Sequence, residues 1–401
     1  MKALTTNQIL RETIQYVVAF CLRNMMKIMW IFPVHSNRIA MIGHLNKPFS
    51  CNPKYIAKYL LSKYKNVFEI IYAVRNPNKE TQNGITFVKI FSLKQFYYFC
   101  TSKVIICNGG MPTYLPKRQE QYVINTWHAG GAYKSCSPDV QNFPYAKMKL
   151  IKHKTKCTDL ALSSCKTHTE KALPDDIYNY KGEVLNSGLP RNDIFFTDVQ
   201  VIRKAVCRDL NIDENNIIIL FAPTFRGSID SFTKKAGDAA FVSNLDVDRL
   251  IKTIEKKYCN KVTVLIRAHQ DMIGLITSDS CIDVTSYPDV QELLCAANIL
   301  ISDYSSIIWD FSLMNKPCFL YCPDLDYYLN DDRGVYTPIE TWPGILCQTN
   351  EELEFAILNF NDEEYRKKVE KHHRDLGSYE TGTACEQVCK RIADVCGVSN
   401  E

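Results

Sequence analysis

The sequence predicts an α/β protein built from two doubly wound, parallel-sheet domains. Three observations carry that prediction. Short β-rich runs alternate with helical stretches from residue 35 onward, and the alternation restarts near residue 200. Runs such as IIILFA (217–222) are apolar at every position, as a strand covered by helices on both faces must be. The 401 residues suffice for two to three domains at about 150 residues each. A composition of 46% hydrophobic and 23% charged residues is that of a globular chain and excludes disordered and fibrous classes. The 48 Lys and Arg against 44 Asp and Glu leave a net charge of +4, too small an excess to point to nucleic acid, so no nucleic-acid partner is expected.

Residues 9–32 are strongly apolar but interrupted by Arg11, Glu12, Arg23 and Lys27. A spanning helix needs about 20 apolar residues with few charges. A signal peptide needs its charges before an uninterrupted apolar core. Neither pattern is met. The segment, taken as 1–34, is expected to be an amphipathic helix lying on a membrane surface, with basic residues toward anionic headgroups. A helix packed on the body of the protein is the plainer alternative.

The first strand series is 38–44, 68–74, 103–107, 122–127, 160–163 and 184–187, with helices at 52–63 and 92–100. Asn52 is the expected N-cap of the first helix, with Pro53 at its first position. The second series is 217–222, 262–267, 299–302 and 318–321, with helices at 247–257, 290–297 and 306–314. These divide the chain into domains at 35–198 and 199–401. Seventeen cysteines, an odd number scattered through apolar runs without paired CxxC motifs, read as reduced thiols of a cytosolic protein. Cys385 and Cys389 are spaced to share one helix face.

In such sheets ligands bind beyond the carboxyl ends of the strands, so the residues that follow each run carry the chemistry. His128 leaves the run at 122–127 beside Gly130 and Gly131, which let a ligand approach the backbone, and Lys134, which can hold a phosphate. Arg191 lies in SGLPRND (187–193), either a phosphate ligand or a brace between domains. Arg226 follows the run at 217–222, where its fork of donors suits a diphosphate. Arg267 and His269 alternate at the end of the run at 262–267 and are spaced to share a face. Asp303, Ser305 and Ser306 run from a strand into a helix, where hydroxyls and backbone N–H groups either bind an anion or cap the helix. Asp324 and Asp326 form a DxD triplet too short to argue for a metal, and His372 and His373 in a charged helical stretch are expected to be solvated. There is no GxxxxGK[ST] loop and no HExxH, and neither metal nor cofactor is expected.

Taken in order, these segments resemble the CDP-glycerol glycerophosphotransferase family of teichoic-acid and capsule polyol-phosphate transferases. The resemblance is carried by FSCNPKYIAKYL (49–60), NTWHAGGAYK (125–134), SGLPRND (187–193), LFAPTFR (220–226), LIRAH (265–269), the stretch 283–311, NKPCFLYCPD (315–324) and RGVY (333–336). It implies a GT-B-like fold, with two Rossmann-like domains facing a cleft. It implies transfer of glycerol phosphate from CDP-glycerol, or ribitol phosphate from CDP-ribitol, to a hydroxyl of a lipid-linked glycan or polyol-phosphate acceptor, with release of CMP. By that resemblance His128 is the general base on the acceptor and His269 serves the donor diphosphate. Arg226, Arg267, Ser305, Ser306 and Arg191 are donor-binding candidates, Asp303 orients their corner, and Lys134, Gly130 and Gly131 contact acceptor or phosphate. The enzyme is expected on the cytoplasmic face of the bacterial membrane, as a peripheral protein. Relatives commonly read WHGTPLK where this chain reads WHAGGAYK, and His269 lacks the proline that often follows it. Two rivals remain at this stage: a GT-B transferase using a nucleotide sugar, and a silent nucleotide- or polymer-binding assembly subunit.

Overall fold

The computed structural model of the chain describes residues 6–43, 48–134, 143–177, 179–224, 244–268, 280–329 and 335–398. The strands of the first sheet are β1 His35–Ile42, β2 Glu69–Val74, β3 Ile85–Lys89, β4 Ser102–Cys107, β5 Tyr122–Asn125, β6 Leu160–Leu162 and β7 Glu183–Leu185. They pair in the order β3-β2-β1-β4-β5-β6-β7, all parallel. The second sheet consists of β8 Ile217–Ala222, β9 Val262–Ile266, β10 Cys281–Asp283, β11 Ile299–Ser302, β12 Cys318–Tyr321 and β13 Ile345–Cys347. Its order is β10-β9-β8-β11-β12-β13, again parallel throughout. This is the two-sheet α/β class the sequence predicts.

Each central strand serves two cores through its alternating side chains. In β1, Ile39 and Met41 join Ile56, Leu60 and Tyr72, while Ala40 and Ile42 join Phe96, Phe99 and Cys107 on the other face. In the second sheet Ile219, Phe221, Val264 and Ile301 pack against Leu250 and Ile254 of the helix Val247–Tyr258. The strands that sequence patterning misses are β3, β10 and β13, all at sheet edges. A three-residue edge strand such as Cys281–Asp283, half-buried to exposed, has too few residues to show a period.

The chain forms two compact units: Met1–His128, Cys136–Asp193 and Tyr379–Glu401 in one, Ala129–Ser135 and Ile194–Ser378 in the other. Residues 379–401, grouped by sequence order with the second domain, therefore fall in the first. The reason is the apolar face of the helix Ala384–Cys396, whose Val388, Cys389, Ile392 and Ala393 complete the core around Ile39 and Leu60. Cys385 and Cys389 are both buried on that face.

The N-terminal helix Thr6–Met25 continues as a 3-10 turn, Met26–Ile31. One side packs down: Ala19, Leu22 and Met26 enter the core shared with Phe96 and Leu150, and the Arg23 guanidinium donates to the Thr113 carbonyl at 3.1 Å. The other side faces outward, with Ile9, Leu10, Ile14, Val17, Val18, Met25, Ile28 and Ile31 between 45% and 76% exposed. No helix among the described residues is long and apolar enough to cross a membrane.

Candidate functional site

Strand order reverses direction between β1 and β4 in the first sheet, and ligand crevices form beyond the carboxyl ends of strands at such points. Asn108 directly follows β4, and Thr126, Trp127 and His128 follow β5. His128 Nδ1 lies 3.2 Å from the Asn108 carbonyl oxygen. A carbonyl only accepts, so Nδ1 carries the proton and Nε2 the lone pair. The loop is held from below. Asn52 Nδ2 donates to the carbonyls of Thr126 (3.3 Å) and Trp127 (3.0 Å), and its Oδ1 accepts the Arg191 N–H at 3.1 Å. Arg191 Nη1 donates to the His128 carbonyl at 2.5 Å and to Cys51 Sγ at 3.3 Å. Trp127 sits at φ 52, a left-handed conformation that costs a bulky residue and persists only where its surroundings fix it. Its ring packs 4.6 Å from the imidazole.

Two expectations change here. Asn52 is not an N-cap: the helix starts at Cys51, behind Ser50, and Asn52 is fully buried with its amide spent on the histidine loop. Arg191 reaches the backbone of His128 itself, a brace within the first unit. Asn52 was missed because its place before Pro53 reads as capping; its spacing from residues 126–128 gives no sequence signal. Beside the imidazole, Asn108 Nδ2 and Trp127 Nε1 are buried with no hydrogen-bond partner among the described residues. An unpaired buried donor costs about 1–3 kcal/mol, a cost that an acceptor group reaching it would remove.

In the second sheet the reversal lies between β8 and β11. Asp303, after β11, is 1% exposed, and both its carboxylate oxygens accept the Thr224 N–H at 3.0 Å. The Thr224 hydroxyl adds a third bond at 3.0 Å, and Ser302 Oγ donates to the Ala222 carbonyl at 2.7 Å. The carboxylate thus stitches the two strand ends together. Ser305 Oγ accepts the Ile307 N–H at 3.4 Å, while Ser306 stands at the N-cap of the short helix Ile307–Ser312 without a side-chain cap bond. Arg267 Nη1 donates to the carbonyls of Val284 (3.1 Å) and Tyr287 (2.8 Å), and burial lowers its pKa against the opposing pull of Asp289. Lys134 Nζ stands 6.0 Å over the Tyr328 ring, which stacks at 3.5 Å on Tyr304, whose hydroxyl donates to Asp324. Arg226 and His269 lie outside the described residues. Among the described residues no three His, Cys, Asp or Glu side chains gather as a metal site would require.

The glycines after His128 have a different purpose from the one read in the sequence. A Cβ on Gly130 would lie 2.2 Å from Trp309 Cδ1, and one on Gly131, at φ +67, would lie 3.0 Å from Trp309 Cε3. The space where a side chain would stand is filled by a buried indole. Tyr133 continues the contact: its hydroxyl donates to His372 Nε2 at 2.9 Å, and His372 Nδ1 donates to the Thr341 carbonyl at 2.7 Å. His373 Nε2 pairs with Ser312 Oγ at 2.8 Å, its ring 4.5 Å from Trp309. The expectation that these two histidines are solvated is therefore overturned. The helix Asp362–Leu376 buries Tyr365, Val369, His372 and Leu376, one helical stripe beneath a charged exterior. Burial pushes both imidazoles down to about 4.

A family model for CDP-Glycerol:Poly(glycerophosphate) glycerophosphotransferase matches residues 24–394. The chain is 27% identical to the teichoic acid poly(glycerol phosphate) polymerase of Bacillus spizizenii, over 91% of this chain and 94% of that protein. It is 25% identical to the teichoic acid glycerol-phosphate transferase of Staphylococcus aureus, over 96% and 99%. With the longer teichoic acid poly(glycerol phosphate) polymerase of Staphylococcus epidermidis the identity is 27%, over 96% of this chain but about half, 55%, of that one. Among solved structures the wall teichoic acid polymerase TagF superposes with a TM-score of 0.79 at 23% identity, covering 98% of this chain and 99% of that one, so the two share a fold.

Proposed function

The chain belongs to the CDP-glycerol:poly(glycerophosphate) glycerophosphotransferase family, and from that premise we propose that it moves glycerol phosphate from CDP-glycerol to a hydroxyl of a lipid-linked acceptor, with CMP leaving, in the synthesis of a wall or capsule polymer. His128 Nε2 takes the proton of the acceptor hydroxyl. The oxygen so freed attacks the phosphorus that carries glycerol, and the bond from that phosphorus to the oxygen kept by CMP breaks. Phosphoryl transfer of this kind asks a protein mainly for positioning and charge compensation. The observation that carries the reading is the Nδ1 contact of His128 with the Asn108 carbonyl, which sets the tautomer a general base needs.

Arg226, Arg267, His269, Ser305 and Ser306 are assigned to the donor's phosphates, with Asp303 a positioning residue through Thr224. Arg191 acts on the His128 backbone and is likewise a positioning residue. Lys134 stays as a phosphate contact; Gly130 and Gly131 leave that role because Trp309 takes their space. The test is CMP release from a panel of CDP-glycerol, CDP-ribitol and nucleotide sugars, by the wild type and His128→Ala. Release from CDP-glycerol that His128→Ala abolishes supports the reading; release from a nucleotide sugar alone overturns it.

The outward apolar side of the N-terminal helix supports a peripheral place on a membrane, where a lipid-linked acceptor is concentrated. Ile14→Glu with Val17→Glu should release the protein from sedimented anionic liposomes and leave turnover of a soluble acceptor intact. Unchanged sedimentation sinks that assignment.

A further inference from the structure

We propose that the turn after β4 is an anion subsite for the phosphate of the acceptor, formed by the Asn108 side-chain amide, the Lys154 ammonium and the open backbone at Gly109 and Gly110. The inference rests on the reading of His128 as the acceptor's base and adds what holds the acceptor beside it.

Asn108 is 1% exposed. Its Oδ1 accepts the Thr126 hydroxyl at 2.8 Å, which fixes the amide orientation and leaves Nδ2 with no partner among the described residues. The same residue's carbonyl holds His128 Nδ1. One residue thus anchors the imidazole through its backbone and presents unspent donors through its side chain. Buried donors are retained when something accepts from them.

The backbone beyond it is unusually accessible. A Cβ on Gly109 would meet nothing within 4 Å. Gly110 is left-handed at φ +80, and a Cβ there would lie 3.2 Å from Lys154 Cβ and 3.5 Å from its Cδ. The lysine stem therefore runs along the glycine turn. The neighbouring helix Tyr145–Cys157 carries other lysines, but Lys149, Lys152 and Lys156 are exposed, whereas Lys154 folds inward toward Cys107. Among the described residues Lys154 accepts one bond at its carbonyl, from Thr158, and its ammonium makes no hydrogen bond or ion pair. Burial lowers its pKa, the direction an incoming anion reverses. A lysine laid along the turn that follows Asn108, and an unspent amide on the residue whose carbonyl holds His128, suit a phosphate whose own hydroxyl is a few bonds away, the arrangement at a glycerol-phosphate terminus.

The experiment uses the full chain with an acceptor ending in glycerol phosphate, a neutral acceptor lacking that phosphate, and sn-glycerol 3-phosphate as competitor. Wild type should prefer the phosphorylated acceptor and be inhibited by the competitor. Lys154→Met and Asn108→Asp should raise the acceptor KM about tenfold, abolish the inhibition and leave the KM for CDP-glycerol unchanged. Asn108→Asp keeps an acceptor for Thr126 and replaces the donors with a charge, so it reads out even if Lys154→Met melts early. Equal use of both acceptors by the wild type, unchanged inhibition in both variants, or a rise confined to the CDP-glycerol KM overturns the proposal. Calorimetric binding of glycerol 3-phosphate to His128→Ala separates the two readings. Lys154-dependent binding there, with normal transfer by His128→Ala, would leave the subsite standing and remove the base.

Discussion

The two sheets place polar residues at the same topological position and use them in opposite ways. Beyond β8 and β11 the Asp303 carboxylate accepts three bonds from Thr224 and sews the strand ends shut. Beyond β4 and β5, Asn108 and Trp127 keep buried donors without partners among the described residues, next to an imidazole held in one tautomer. A satisfied cluster contributes stability and rigidity, whereas an unsatisfied one gives up stability for a place where something else binds. The difference separates a cluster closed on itself from one with donors left over, although Asp303 and Asn108 both follow a strand at a switch point.

Four measurements break or sharpen that contrast. The largest effect expected is on His128. Its removal as His128→Ala should cut transfer by about 10²–10⁴ while the CDP-glycerol KM stays put, measured by steady-state CMP release. Near-normal turnover would place the base elsewhere. Next comes Asp303→Ala, which removes the carboxylate that accepts from the Thr224 N–H and hydroxyl and should cost about 1–3 kcal/mol in calorimetric unfolding. If Asn108→Asp destabilised as much, the contrast between frame and binding cluster would be lost. Gly130→Ala drives a methyl into Trp309 and should cost about 1–3 kcal/mol by the same measurement, as overpacking does. A melting temperature equal to wild type would mean that the loop relaxes freely and that the indole does not set it.

A further effect is one that both units share. His153 in the first and His372 and His373 in the second are pushed down to about 4 by burial. Their folded pKa values lie below the ordinary value of 6.5, so the unfolded chain binds more protons. Their contribution should be complete above about pH 6.5 and lost as pH falls through about 4. Melting temperatures recorded down this range should decline steadily; a flat profile would show these imidazoles to be less buried than described.

Much of the frame was legible. The apolar runs of β1, β4 and β8 are continuous because both faces are covered, and turn residues bound them. The histidine loop was legible because His128, two glycines and a lysine follow a strand-like run directly. What escaped depended on packing between segments distant in sequence. Gly130 and Gly131 announce room without saying that Trp309 fills it. His372 lies on the same helical stripe as Tyr365 and Val369, but the flanking charges hid the stripe. Asn52 and Arg191 meet the loop from elsewhere in the chain, and no spacing rule connects them. The NGG triplet at 108–110 was in plain view at a strand end, yet it became informative only once Lys154 was seen to lie along it.

The closing helix at 384–396 bears on how hybrid proteins should be assembled. A graft that exchanged everything after residue 198 would pair a foreign last helix with the native Ile39 and Leu60, and the seam would run through a hydrophobic interior. Exchanging 129–135 together with 194–378, with the native tail kept, transplants one unit whole and keeps Gly130, Gly131 and Tyr133 with the Trp309 and His372 they pack against.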